Sequence, residues 1–251
     1  IDDKSPEEIR REFIANYLAG FASIKFTSNE RIPFAYRKII ASEVNRLIGL
    51  EVVDENQNEI FVQDFFSTEN LSIEQTVKRA YAITMNMYQD LIEALEKNDA
   101  KIAQGVTDQD DEVDRVFFLV LRQIGIVLEN ASFLKKLSLK STDCISYTRL
   151  ITSIERTADN LAKQAAEAKT APKTRKEITN LNKQALANYS LAVKACFSTD
   201  KKQANQLLEE IKTLTRECEK MKANTTSHEV NLIDKIASIS EHSAEIAEIA
   251  I

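Results

Sequence analysis

The sequence predicts a mainly α-helical protein in which six long helices form a duplicated three-helix bundle, preceded by a small α/β subdomain. Three observations lead there. Only four glycines and three prolines occur in 251 residues, while strong helix formers abound, so little interrupts long helices. From Leu71 onward apolar residues recur at helical spacing, broken only at a few short polar stretches. The helices then align with one another as two copies. An offset of 101 residues superposes Tyr88 on Tyr189, Ala94 on Ala195 and Ala103 on Ala204, while an offset of 82 superposes Ile151 on Ile233, Ile154 on Ile236 and Ala165 on Ala247.

Taken in order, Ser5-Pro6-Glu7-Glu8 opens a helix with an N-cap, a proline at the first helical position and a capping box, and Gly20 stops it. Phe21 to Phe26 reads as a strand, Pro33 opens a helix that Gly49 closes, and Leu50–Val53 with Ile60–Phe66 flank a polar turn as a β-hairpin. Residues 1–67 thus form a small α/β linker and dimerisation subdomain, too small for a large core of its own. It is expected to pack on the helical region or on a second copy of itself. Its hairpin leaves an edge strand for pairing.

Residues 68–251 form the helical domain, with one repeat at 68–170 and the other at 171–251. Asn98-Asp99 separates the first two long helices, Ala131 to Ser141 connects the second to the third, and Thr170-Ala-Pro172 ends the third. Three further helices follow, the last opened by the capping box Thr226-Ser-His-Glu229.

A net charge of -6 argues against this chain gripping a nucleic-acid backbone by itself. No run of 18 apolar residues occurs, so no membrane insertion is expected. Cys144, Cys196 and Cys218 lack metal or redox spacing and read as reduced core residues of a cytoplasmic protein. The chain opens on Ile1 and its first methionine is Met85, so a preceding segment is expected.

The candidate site lies on two helices. Asp110 and Asp114 are one turn apart, as are Glu155 and Asp159, so each pair projects from one face. The first pair continues the row Phe117, Leu121, Ile124, Leu128, and the second is flanked by Ile151, Ala158 and Ala162. In an antiparallel hairpin the two pairs mirror each other about a point between Leu134 and Lys135, inside the expected connection. Asp111 with Arg115, or Asp159 with Lys163, can form ordinary one-turn ion pairs, but four acids converging beside an apolar stripe must protonate, recruit Arg or Lys, or bind a cation. An all-oxygen cluster suits hard ions such as Mg, Ca, Mn or Fe. No histidine follows Glu155 at the spacing of a ferritin-like di-iron site.

At these residues the sequence resembles the PhoU family of phosphate-uptake regulators. Asp110-Asp-Glu-Val-Asp114 followed by apolar residues is similar to that family's D-x-x-(V/I)-D motif, and Ile154-Glu155-Arg156-Thr-Ala-Asp159 is similar to its I-E-R-x-A-D motif, with Asn160 where the family usually has His. The resemblance implies a PhoU-like duplicated bundle and a divalent or trivalent metal ion (Fe, Mn, Mg or Zn) on Asp110, Asp114, Glu155 and Asp159. It further implies partner binding to a phosphate-transport or signalling protein in place of catalysis; the homo-oligomer, a dimer, is expected from the edge strand of the N-terminal hairpin. Residues 1–67 resemble the segment that joins an AbrB-like domain to a PhoU domain in regulators of archaeal type, which places any DNA binding in a domain ahead of Ile1. In the second copy the four acids map to Ile211, Thr215, Ala237 and Glu241, so metal binding is expected of the first copy only. His228 and His242 read as solvated or structural. The competing readings are a carboxylate-bridged metal enzyme in a helical bundle and a purely structural oligomerisation bundle.

Overall fold

The structure, a computed structural model, describes residues 1–65, 72–129, 131–169, 174–223 and 225–251. The expected boundaries at 67/68 and 170/171, and the Thr170-Ala-Pro172 break, lie outside the described residues. The chain falls into two compact units. One comprises Ile1–Val77 with Asp114–Thr148, the other Lys78–Val113 with Arg149–Ile251.

In the first unit, α1 (Pro6–Leu18) begins as the sequence requires. The Ser5 side chain accepts from the Glu8 amide and Glu8 reaches back to the Ser5 amide. Its buried residues Ile9, Phe13 and Tyr17 are four apart and form one stripe. That stripe packs on a three-stranded antiparallel sheet ordered β1 (Ser23–Thr27), β3 (Glu59–Asp64), β2 (Leu50–Glu55). Ile24 and Phe26 of β1 and Ile60 and Val62 of β3 enter the core, and the Phe13 and Phe26 rings meet edge to face at 5.0 Å. A bulge between Val52 and Asp54 interrupts the β2–β3 register, and β2 is exposed beyond Leu50. α2 (Phe34–Arg46) adds Ile40 to the core.

This small unit completes itself with chain from the helical region. α4 (Ala100–Glu129) contributes its second half, in which Phe118 packs against the core of the unit. Arg122, almost wholly buried, donates to the carbonyls of Tyr17 and Phe21 and, at 2.5 Å, to the Asp64 carboxylate. α4 can come that close because residue 125 is glycine: an ideal Cβ there would stand 2.7 Å from the Leu18 carbonyl oxygen. The connection expected at 131–141 contains a short helix, α5 (Ala131–Lys136), before α6 (Ser141–Ala168).

The second unit holds most of α3 (Ile73–Lys97), parts of α4 and α6, and all of α7 (Lys176–Ser198), α8 (Lys201–Lys222) and α9 (Ser227–Glu248), the last three packed mutually. The repeat is visible in its caps. Asn98 at φ 53° and Thr199 at φ 51° each end a helix in the left-handed region, and Asp99 and Asp200, one residue on, each cap the next helix by accepting backbone amides. The repeat-matched residues Tyr88 and Tyr189, Ile151 and Ile233, and Ile154 and Ile236 are all fully buried. Cys144 and Cys218 are buried, none of the three cysteines is in a disulfide, and burial pushes the thiols of Cys196 and Cys218 up to about 11, where they are unreactive.

Candidate functional site

The four carboxylates do not stand where the expected apolar row put them. On α4 the buried stripe is Val106, Val113, Val116, Val120, Ile124 and Val127, whereas Phe117 and Leu121 are half-buried and Leu128 is exposed. The core face is turned by about one residue, roughly 100° of helix, relative to the row through Asp110 and Asp114. Two apolar rows compete on this helix, and the compact valines take the interior. Asp110 and Asp114 flank that stripe, half-buried. On α6 the expectation holds better: Ile151, Ala158 and Ala162 are buried, and Glu155 and Asp159 lie half-buried beside them.

Asp114 belongs to the first unit and the other three acids to the second. Asp114 accepts from Arg46 Nη2 at 2.6 Å, and the Arg46 guanidinium also lies over the Phe118 ring at 4.7 Å. Arg46 Nη1 is 3.9 Å from Glu43, a carboxylate only 3% exposed, and Glu43 is also held by Arg10 Nε at 3.1 Å. Asp114 therefore ends a chain of alternating charges, Arg10, Glu43, Arg46, Asp114, that ties α1, α2 and α4 together. Asp159 pairs with Lys163 at 2.7 Å, the one-turn ion pair that its spacing allows. Asp110 and Glu155 are also engaged by other groups. Among the described residues, no three His, Cys, Asp or Glu side chains stand together so as to hold a metal ion. Two of the four acids thus carry a basic partner, Asp114 in Arg46 and Asp159 in Lys163.

A second polar cluster joins α6 to α9. Asn160 Nδ2 lies 3.5 Å from His242 Nε2, and these two residues are repeat equivalents at the offset of 82. Ser153 donates to Glu245 at 2.9 Å, His242 Nδ1 is 3.5 Å from the same carboxylate, and Arg149 is 3.6 Å from Glu248. Burial, aided by Arg156, holds His242 below its ordinary value of 6.5, against the opposing pull of Glu245 and Glu241. The unfolded chain therefore takes up a proton on this histidine at higher pH than the folded chain does. The associated stability is complete above 6.5 and is lost as the pH falls through the folded value. Between about pH 7 and about pH 5, urea denaturation should show His242→Gln losing less stability than the parent chain. Equal losses would remove His242 from the account.

Arg10, Glu43, Arg46, Asp64 and Arg122 were not singled out by sequence reasoning. Apart from Glu43 with Arg46, three residues apart, these pairs join residues tens of positions away, and isolated charges carry no periodic signal.

These helices and their polar ties define a mainly α-helical bundle protein of the PhoU-like fold. The PhoU domain model matches residues 77–168. The chain is similar in structure to PhoU from Pseudomonas aeruginosa, at a TM-score of 0.60 and 19% identity over 71% of this chain and 93% of that one. It is also similar to the phosphate transport system regulatory protein PhoU from Streptococcus pneumoniae, at a TM-score of 0.56 and 15% identity over 71% of this chain and 91% of that one. No curated protein matches the sequence. No helix among the described residues is long and apolar enough to cross a membrane.

Proposed function

We propose that this chain is a cytoplasmic regulator of phosphate transport that works by binding partner proteins and not by catalysis. The observation that carries the reading is the PhoU domain match over 77–168, the span that holds both acid pairs. Deleting the protein from its host and following phosphate uptake and phosphate-responsive transcription under phosphate limitation tests it. Both should change; if neither does, the reading falls. A dimer is part of the same proposal, with β2, one of the two edge strands of the sheet, as the pairing edge. Light scattering should return twice the mass of one chain, and a monomer mass would remove this element.

A metal-loaded form is a second reading, favoured by two pairs of acids at one-turn spacing on half-buried faces. It requires Arg46 to release Asp114 and Lys163 to release Asp159. Elemental analysis and urea denaturation of Asp114→Ala separate the possibilities. Loss of a charge-assisted tie should cost about 1–3 kcal/mol with metal content unchanged, whereas a ligand role predicts a fall in bound metal.

A further inference from the structure

The connection between α4 and α6 differs from the rest of this acidic chain. No acid occurs from residue 130 to residue 142, whereas Lys135, Lys136 and Lys140 all do, and all three are exposed. Apolar side chains stand among them. Leu128 before the connection is 49% exposed and Ile145 after it 62% exposed, while Leu134, Leu137 and Leu139 are only partly covered. The segment is built, not loose. Ser138 ends α5 in the left-handed region, the Leu139 amide donates to the Leu134 carbonyl at 2.9 Å and the Ser138 amide to the Lys135 carbonyl at 3.2 Å, which is the closure of a Schellman cap. On the far side Asp143 accepts from the Lys140 amide at 2.8 Å and fixes the start of α6.

We propose that this connection docks on an anionic lipid surface. Leu137, Leu139 and Ile145 enter the boundary between headgroups and acyl chains, and Lys135 and Lys140 reach the lipid phosphates, with no segment crossing the bilayer. Charge complementarity selects the occupant: on a chain of net charge -6, this stretch carries only positive charge. The residue types favour lipid over protein, since Lys is depleted at protein interfaces and their anchors are chiefly Trp, Tyr and Arg, none of which occurs from residue 128 to residue 145. Long lysine stems also let the charge stay at headgroup level while the apolar neighbours sink.

Sedimentation of the full chain with vesicles tests this. It should bind vesicles of phosphatidylcholine mixed with phosphatidylglycerol, leave them as salt rises, and ignore phosphatidylcholine alone. Each lysine near such a surface is worth about fivefold in partition, so Lys135→Glu with Lys140→Glu should weaken binding by roughly 25-fold or more. Leu137→Ser with Leu139→Ser should weaken it as well, with far-UV circular dichroism unchanged. The same charge change at Lys201 and Lys202, exposed residues of α8, should leave binding intact. No binding to the anionic vesicles, equal binding to both vesicle types, or equal losses from the Lys135/Lys140 and Lys201/Lys202 variants would overturn the proposal. Binding of an acidic protein through Lys135 and Lys140 without vesicle binding would overturn it in favour of a protein partner.

Discussion

Replacing Arg122 with methionine should destabilise the protein by about 3–5 kcal/mol, the range for removing one partner of a buried ion pair. The Arg122 side chain is 2% exposed and that of Asp64 6%. The substitution leaves the Asp64 carboxylate in the interior without its guanidinium. It also removes the donors to the Tyr17 and Phe21 carbonyls, at the end of α1 and the turn into β1, and the stacking of the guanidinium on the Tyr17 ring at 4.6 Å. Arg122→Met combined with Asp64→Leu should recover part of the loss, because an apolar pair of similar volume is often as stable as a buried ion pair. Recovery stays incomplete, since two carbonyls still lack a donor. Urea denaturation followed by circular dichroism, with hydrogen exchange at α1 amides, measures both steps. A loss under about 1 kcal/mol would mean that Asp64 finds another cation or water, and that Arg122 does not pin α1.

The residues of that lock mark where sequence reasoning stops. Helix ends were legible because local rules write them. Ser5 with Glu8 and Thr226 with Glu229 form the capping boxes that their spacing announces. The duplication was legible because matched core positions repeat as residue types. Asp159 with Lys163 was legible because one helical turn separates them. Asp114 with Arg46 was not: the two are 68 residues apart, and a long-range ion pair leaves no period in the sequence. The helical face carrying Asp110 and Asp114 was misplaced for a related reason. α4 bears two apolar rows, and tertiary packing chooses between them. The small α/β subdomain builds a core from residues 9–62 and also takes in residues 114–148, a cut through two continuous helices that no composition shift marks.

Two glycines in α4 should respond to alanine with opposite signs. In an exposed helix Gly→Ala stabilises by about 0.8–1 kcal/mol, because alanine loses less backbone freedom. At Gly105 nothing stands within 4 Å of an added Cβ, so Gly105→Ala should gain close to that amount. At Gly125 the same atom would meet the Leu18 carbonyl oxygen at 2.7 Å, and that oxygen belongs to the α1 backbone and cannot rotate away. Overpacking of this kind costs about 1–3 kcal/mol, which exceeds the helix gain. The contact is reciprocal: Gly20, at φ 84°, would place a Cβ 2.8 Å from Ile126 Cγ1. Moving α4 outward to relieve Gly125→Ala also lengthens the bonds of Arg122, one turn earlier, to the Tyr17 and Phe21 carbonyls. The net loss should therefore reach about 2 kcal/mol for alanine and more for leucine, whose larger side chain adds to the same overpacking. For a chain of this size each kcal/mol corresponds to about 2–4 °C in Tm, so the two alanine variants should separate clearly in a thermal melt. If both alanines stabilise, α4 does not approach α1 this closely in solution, and the Arg122 lock must be weaker than its geometry states.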